Sequence, residues 1–67
     1  MPVITVETWP LKEEQKPEII KNITKVFTDM KIPAQAVTVI LHETKHENWG
    51  SEGEQHSIKF KEIIEKL

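Results

Sequence analysis

Residues 2–42 read PVITVETWPLKEEQKPEIIKNITKVFTDMKIPAQAVTVILH, and this stretch decides the fold. It opens with Val3, Ile4, Thr5 and Val6, a β-branched run that predicts a strand over Pro2 to Thr8. Trp9-Pro10-Leu11 breaks it, because proline cannot donate to a sheet ladder. From about Lys12 to Met30 the apolar residues Ile19, Ile20, Ile23, Val26, Phe27 and Met30 recur at helical spacing and predict one apolar helix face. Glu13 and Glu14 fall in the expected first turn, where carboxylates suit the positive helix end. Pro17 removes a hydrogen bond wherever it lies beyond the first turn, so the helix is expected to start late or bend there. Lys31-Ile32-Pro33 ends it, since a residue before proline is biased away from helical dihedrals. Ala36 to His42, with Val37, Val39, Ile40 and Leu41 nearly continuous, predicts a second strand covered on both faces. Strand, crossover helix and strand make a βαβ unit, with parallel strands and a right-handed crossover.

Outward from that unit the chain is less regular. Glu43 to Gly53 is polar, holds both glycines and predicts a loop with room for a small hairpin. Glu54 to Leu67 carries Ile58, Phe60, Ile63, Ile64 and Leu67, the pattern of a terminal helix with one apolar stripe. The whole of 1–67 reads as a single domain of class α/β (α+β). A chain of 67 residues buries only about 60 % of its unfolded surface. It has no cysteine to form disulfides or thiolate metal sites, so self-association is the expected remedy.

Composition narrows the function classes. The net charge is −2 and there is no basic block, so no phosphate-neutralising footprint exists and nucleic acid is not expected as a partner. The longest apolar run, Val39-Ile40-Leu41, is too short to span a bilayer. No charged segment followed by an apolar core opens the chain, so a soluble, cytoplasmic protein is expected. All nine basic residues are lysines; there is no arginine.

Met1-Pro2 carries a chemical possibility. The small second residue favours removal of Met1, which leaves Pro2 with a secondary amine. A free α-amino group has a pKa of about 7.7–8.0, and burial in an apolar pocket lowers it. Such an amine suits a general base, or a nucleophile towards a carbonyl.

Several segments taken in order resemble the short-subunit members of the tautomerase superfamily, typified by 4-oxalocrotonate tautomerase. They are Met1-Pro2 opening a β-branched strand, Glu14-Gln15-Lys16 at the helix start, Ile19-Ile20 on the helix, Val37 to Glu43 as the second strand, and Asn48-Trp49-Gly50-Ser51-Glu52-Gly53-Glu54. The resemblance implies βαβ subunits that pair into four-stranded sheets, three pairs commonly making a homohexamer. It also implies a cofactor-independent keto–enol tautomerase acting on an enol or 2-keto acid, with Pro2 as catalytic base and Trp49 in the apolar wall of the site. The type member binds substrate carboxylates with two arginines. Leu11 or Lys12 falls at the first of those positions and Thr38 at the second. Lysine supplies a point charge without the planar bidentate contact of arginine, and threonine a neutral hydrogen bond. A monocarboxylate or a less charged aromatic enol is therefore expected, contacted by Lys12, Thr38 and Trp49. Glu52 stands where the family usually has glycine. A non-catalytic structural or small-molecule-binding oligomer on the same fold is the alternative.

Other patterns have plainer readings. His42-Glu43-Thr44-Lys45-His46 spells H-E-x-x-H, a zinc motif that requires a helix to put both histidines on one face. Here it follows a β run and precedes Asn48 and Gly50, so no metal site is expected. Glu7, Glu43, Glu47, Glu52 and Glu54 read as solvated surface groups, and Trp9 as a packing or interface residue bordering a neighbour's site. Lys45 is a weaker candidate for a substrate carboxylate, and Asn22-Ile23-Thr24 lies inside the expected helix.

Overall fold

A computed structural model describes residues 1–67. Strand β1, Val3–Thr8, is followed by helix α1, Gln15–Thr28, and strand β2, Thr38–Glu43. β1 and β2 pair in parallel, with Val3 beside Thr38, Thr5 beside Ile40 and Glu7 beside His42. The βαβ unit expected from the sequence is thus present.

Its boundaries carry two corrections. α1 starts at Gln15, so Glu13 and Glu14 precede it, and the acidic residue of its first turn is Glu18. Pro17 then occupies the third helical position, where its missing N–H breaks no intrahelical bond. β2 starts at Thr38 because Ala34–Ala36 closes into a 3-10 turn after Pro33. Between helix and turn, Lys31 takes the left-handed conformation (φ 68°), and the Ile32 amide reaches back to the Phe27 carbonyl at 3.1 Å. That six-residue closure satisfies a carbonyl the helix end leaves open.

The burial pattern shows a one-sided core. Ile4, Val6 and Thr8 of β1 and Val39 and Leu41 of β2 are half-buried, while Val3, Thr5, Glu7, Thr38, Ile40 and His42 face outward. α1 packs against β2 with Ile19, Ile23 and Phe27 half-buried. Ile20, Val26 and Met30, expected on the same face, are exposed, Met30 at 67 %. The apolar arc of α1 is therefore wider than its sheet. No residue of the chain is fully buried. The accessible surface is 5289 Å², where a folded monomer of this mass shows about 4,400 Å². The radius of gyration is 14.9 Å, against about 11 Å for a compact chain of this length.

Past β2 the expected loop holds a hairpin. A 3-10 turn, His46–Asn48, leads into β3, Gly50–Ser51, which pairs antiparallel with β4, Glu54–Gln55. Glu52 (φ 55°) and Gly53 (φ 77°) make the two-residue turn. Such a turn demands positive φ at both central positions, so Glu52 adopts the backbone that glycine would take in its place. The terminal helix expected over Glu54 to Leu67 is broken instead. Glu54 and Gln55 belong to β4, α2 covers His56–Lys59, and α3 covers Lys61–Glu65. Phe60 forms the joint (φ −111°, ψ 27°) and its ring joins an aromatic cluster. Ile58 (74 % exposed), Ile63 and Leu67 find no cover within the chain. No helix is long and apolar enough to cross a membrane.

One polar clamp ties the β1–α1 connection to β2. The Glu43 carboxylate accepts the Leu11 amide at 2.7 Å and pairs with Lys16 Nζ at 3.0 Å; Lys16 also meets Glu13 at 3.3 Å. The Leu11 hydrogen bond first, then Lys16, holds the Glu43 carboxyl below its ordinary range, and the two carboxylates raise the Lys16 ammonium. A carboxylate depressed by folding stabilises the fold above the unfolded value of about 4.3 and loses that contribution as pH falls through its native value. Acid titration of the thermal midpoint should therefore fall more steeply below about pH 4.3 for the wild type than for Glu43→Gln. Parallel curves would remove the clamp from the stability of the fold. The hairpin gives a second expectation. Left-handed backbone costs a non-glycine residue about 1–2 kcal/mol, and asparagine less. Glu52→Asn should stabilise by about 0.5 kcal/mol, read as a higher urea midpoint at fixed protein concentration. Lys59, which loses Glu52 in this variant, keeps Glu54 as its partner. An unchanged or lower midpoint contradicts that account.

Candidate active site

Parallel pairing sorts the expected site residues into two groups. Pro2 sits at the leading end of β1, half-buried, its carbonyl accepting the Thr38 amide at 3.0 Å. Thr38 begins β2 beside Val3, so Pro2 and Thr38 share one end of the sheet. Met1 is 94 % exposed, and its loss removes no packing.

Lys12 and Trp49 lie at the other end. The Leu11 amide is held by Glu43, the last residue of β2, which keeps Lys12 there. Trp49 Nε1 donates to the Thr44 carbonyl at 2.9 Å, and the Thr44 amide donates to the Thr8 carbonyl at 3.0 Å. A strand rises about 3.3 Å per residue, so β1 separates Pro2 from Trp9 by about 23 Å. A small enol cannot touch Pro2 and the Lys12–Trp49 group of one and the same chain.

The far end has the makings of a pocket. A cavity of about 350 Å³ is lined by Trp9, Leu11, Lys12, Gln15, Lys66 and Leu67, with Thr8 and Pro10. Neither the Lys12 nor the Lys66 ammonium has a carboxylate partner. An apolar wall with two open cations is suited to an organic anion. Lys66 was not legible from sequence, because only the break at Phe60 sets the direction of the last turn. The neighbouring aromatic cluster joins Trp9, His46, Trp49, His56 and Phe60.

Other chemistry-bearing residues are occupied elsewhere. His42 Nδ1 is 2.7 Å from Glu7 Oε2 on the open sheet face, and His46 lies in a 3-10 turn with its ring edge-on to Trp9 at 5.0 Å. The H-E-x-x-H residues thus straddle a strand end and a turn, not one helix face. No three His, Cys, Asp or Glu side chains stand close enough to hold a metal ion. Ser51 Oγ lies 3.0 Å from His56 Nε2, a spacing that suggests a nucleophile and its base. Trp9 Nε1 donates to the other ring nitrogen at 3.1 Å, however, so His56 Nε2 carries the proton and cannot accept one from Ser51. Lys45 and the remaining carboxylates are surface groups; Glu52 and Glu54 meet Lys59 at 3.2 and 3.5 Å.

No curated protein and no solved structure matches the chain. The family model described as "Tautomerase enzyme" matches residues 2–58, from Pro2 through the parallel βαβ unit and the hairpin into α2. With that match spanning most of its length, the chain belongs to the tautomerase family.

Proposed function

We propose that the protein is a cofactor-independent keto–enol tautomerase, an isomerase of an enol or 2-keto acid, with Pro2 as general base once Met1 is removed. The observation that carries this reading is Pro2 at the head of β1 in a chain of this family, behind a Met1 that touches almost nothing. The free secondary amine takes the proton of the enol hydroxyl and leaves an enolate. As the oxygen pair forms the carbonyl π bond, the C=C pair moves to the adjacent carbon and takes the proton back from the prolinium. The amine is regenerated and no oxidant or reductant is consumed. A base that titrates near the working pH suits both steps.

The site is completed by a second copy. Two-fold pairing of sheet edges runs strands antiparallel and so sets the leading end of one sheet near the trailing end of its mate. Pro2 and Thr38 of one copy then face Lys12 and Trp49 of another. Lys12 attracts the substrate carboxylate, Thr38 gives a neutral contact, and Trp49 excludes water. The exposed Val3, Ile40, Ile58 and Ile63 supply apolar area for such pairing and for further growth to a homohexamer. The partners are thus a small-molecule anion and other copies of this chain.

The absence of arginine favours a second reading, a non-catalytic oligomer that binds a small anion on the same surface. Turnover separates the two. Enol-to-keto conversion of an aryl enolpyruvate is followed by ultraviolet absorbance, with loss of Met1 checked by mass. Pro2→Ala should lower the rate at least about 100-fold, the low end for a positioned general base. Equal rates for both proteins, matching buffer, favour the binding oligomer. Lys12→Met should raise KM for the carboxylated enol about tenfold and leave kcat nearly unchanged, since an ammonium on the remote carboxylate binds ground and transition states alike. An unaltered KM removes Lys12 from the site. Native mass spectrometry should give six copies of the 7.8 kDa chain; a monomer at micromolar concentration excludes the shared site.

A further inference from the structure

The aromatic end of the molecule is organised around one imidazole. His56, the first residue of α2, has both ring nitrogens engaged: Trp9 Nε1 donates to Nδ1 at 3.1 Å, and Nε2 lies 3.0 Å from Ser51 Oγ. An indole N–H only donates. Nδ1 therefore keeps its lone pair, and the ring proton sits on Nε2 and donates to Ser51. The same ring lies parallel to Trp49, centroids 5.8 Å apart and planes 15° from each other. Phe60 meets it edge-on at 4.9 Å. One neutral side chain thus aims Trp9 through a hydrogen bond and sets the plane of Trp49 by stacking. Trp9 walls the cavity that holds Lys12 and Lys66.

This arrangement tolerates only one protonation state. A proton on Nδ1 places two N–H donors face to face and abolishes the Trp9 bond. The surroundings offer an imidazolium no direct replacement. His46 packs edge-on against Trp9, and its own Nε2 is enclosed without a partner. In the same turn, the Glu47 carbonyl takes the Gln55 side chain at 2.7 Å. Glu52 and Glu54 of the hairpin are on Lys59, whose ammonium lies 5.7 Å from the Phe60 ring; Lys61 opens α3. None of these groups hydrogen-bonds to the His56 ring.

We propose that His56 is a positioning residue for the tryptophan-lined half of the site. As a neutral imidazole it holds Trp9 by a hydrogen bond and stacks on Trp49, and a proton on Nδ1 breaks the Trp9 bond. This end of the site then fails in acid independently of Pro2. The link to turnover rests on the tautomerase reading above; the link to the two indoles does not.

The two links are tested separately on the full-length protein. In the wild type at about pH 8, imidazole nitrogen NMR should show His56 as the Nε2–H tautomer. On acidification from about pH 8 to about pH 5, the Trp9 indole N–H signal should move together with the His56 signals. His56→Gln keeps an acceptor for Trp9 and a donor for Ser51 without a titrating group, so its Trp9 signal should hold still over that range. His46→Gln should preserve the wild-type movement. For turnover, each required deprotonation contributes about one unit of slope to log(kcat/KM) against pH on the acid side. The wild type should approach a slope of about two, and His56→Gln about one, whatever the level of its plateau. An Nδ1–H tautomer, a Trp9 signal that ignores pH, or a titration that vanishes in His46→Gln overturns the proposal; none of these wild-type and His46 readings needs the His56 variant to fold. Slopes that are the same in wild type and His56→Gln overturn its link to turnover. Pro2→Ala turnover equal to wild type, beside an intact co-titration of Trp9 and His56, defeats the proposed reaction and upholds His56 as the holder of Trp9.

Discussion

Parallel pairing of β1 with β2 is the constraint from which the rest of the molecule follows. Strands that run the same way need a crossover, and α1 with its flanking turns is that crossover. The same direction also segregates the chemistry. Everything just before a strand gathers at one end, as Pro2 does with Thr38. Everything just after a strand gathers at the other, as Lys12, Thr44 and the hairpin do. The Glu43 clamp on Leu11 and Lys16 enforces this order by fixing the first connection to the end of β2.

Two strands and one helix cannot also keep themselves dry. Only one sheet face is covered, and α1 spreads its apolar residues over a wider arc than two strands can accept. An excess surface of roughly 900 Å² over a folded monomer of this mass is about what one partner contributes to a standard protein–protein interface. The outward side chains Val3, Thr5, Thr38 and Ile40 form a weakly polar strip, and the Glu7–His42 contact closes it. Ile58 and Ile63 extend the uncovered surface into the chain's last segment. The uncovered surface thus asks for what the proposed function also asks for, a second copy lying antiparallel to the first.

Much of this was legible in the sequence, and the physical reasons separate what was from what was not. Local periodicity fixed the βαβ order, because β-branched runs and helical spacing act over a few residues. Pro17 even marked the late start of α1. The terminal helix was misjudged because the pattern Ile58, Phe60, Ile63, Ile64, Leu67 is helical in isolation, while Phe60 is drawn into a cluster with Trp9, a residue 51 positions away in the chain. Glu52 stands where the family usually has glycine; the hairpin shows it holding the left-handed position itself. His56 carried no motif, because its role depends on an indole donor that only the tertiary fold brings within reach. Lys66 was hidden because the break at Phe60 sets the direction of the last turn.

The separation of Pro2 from Lys12 along the length of β1 has a genetic meaning. Under the proposed function, a copy damaged at Pro2 still lends its lysine and tryptophan to a neighbour, and a copy damaged at Lys12 still lends its amine. Two inactive alleles expressed together would complement each other by mixing subunits. A single defective allele would spoil sites on wild-type copies as well as on its own. Inheritance of function would follow the assembly and not the individual chain.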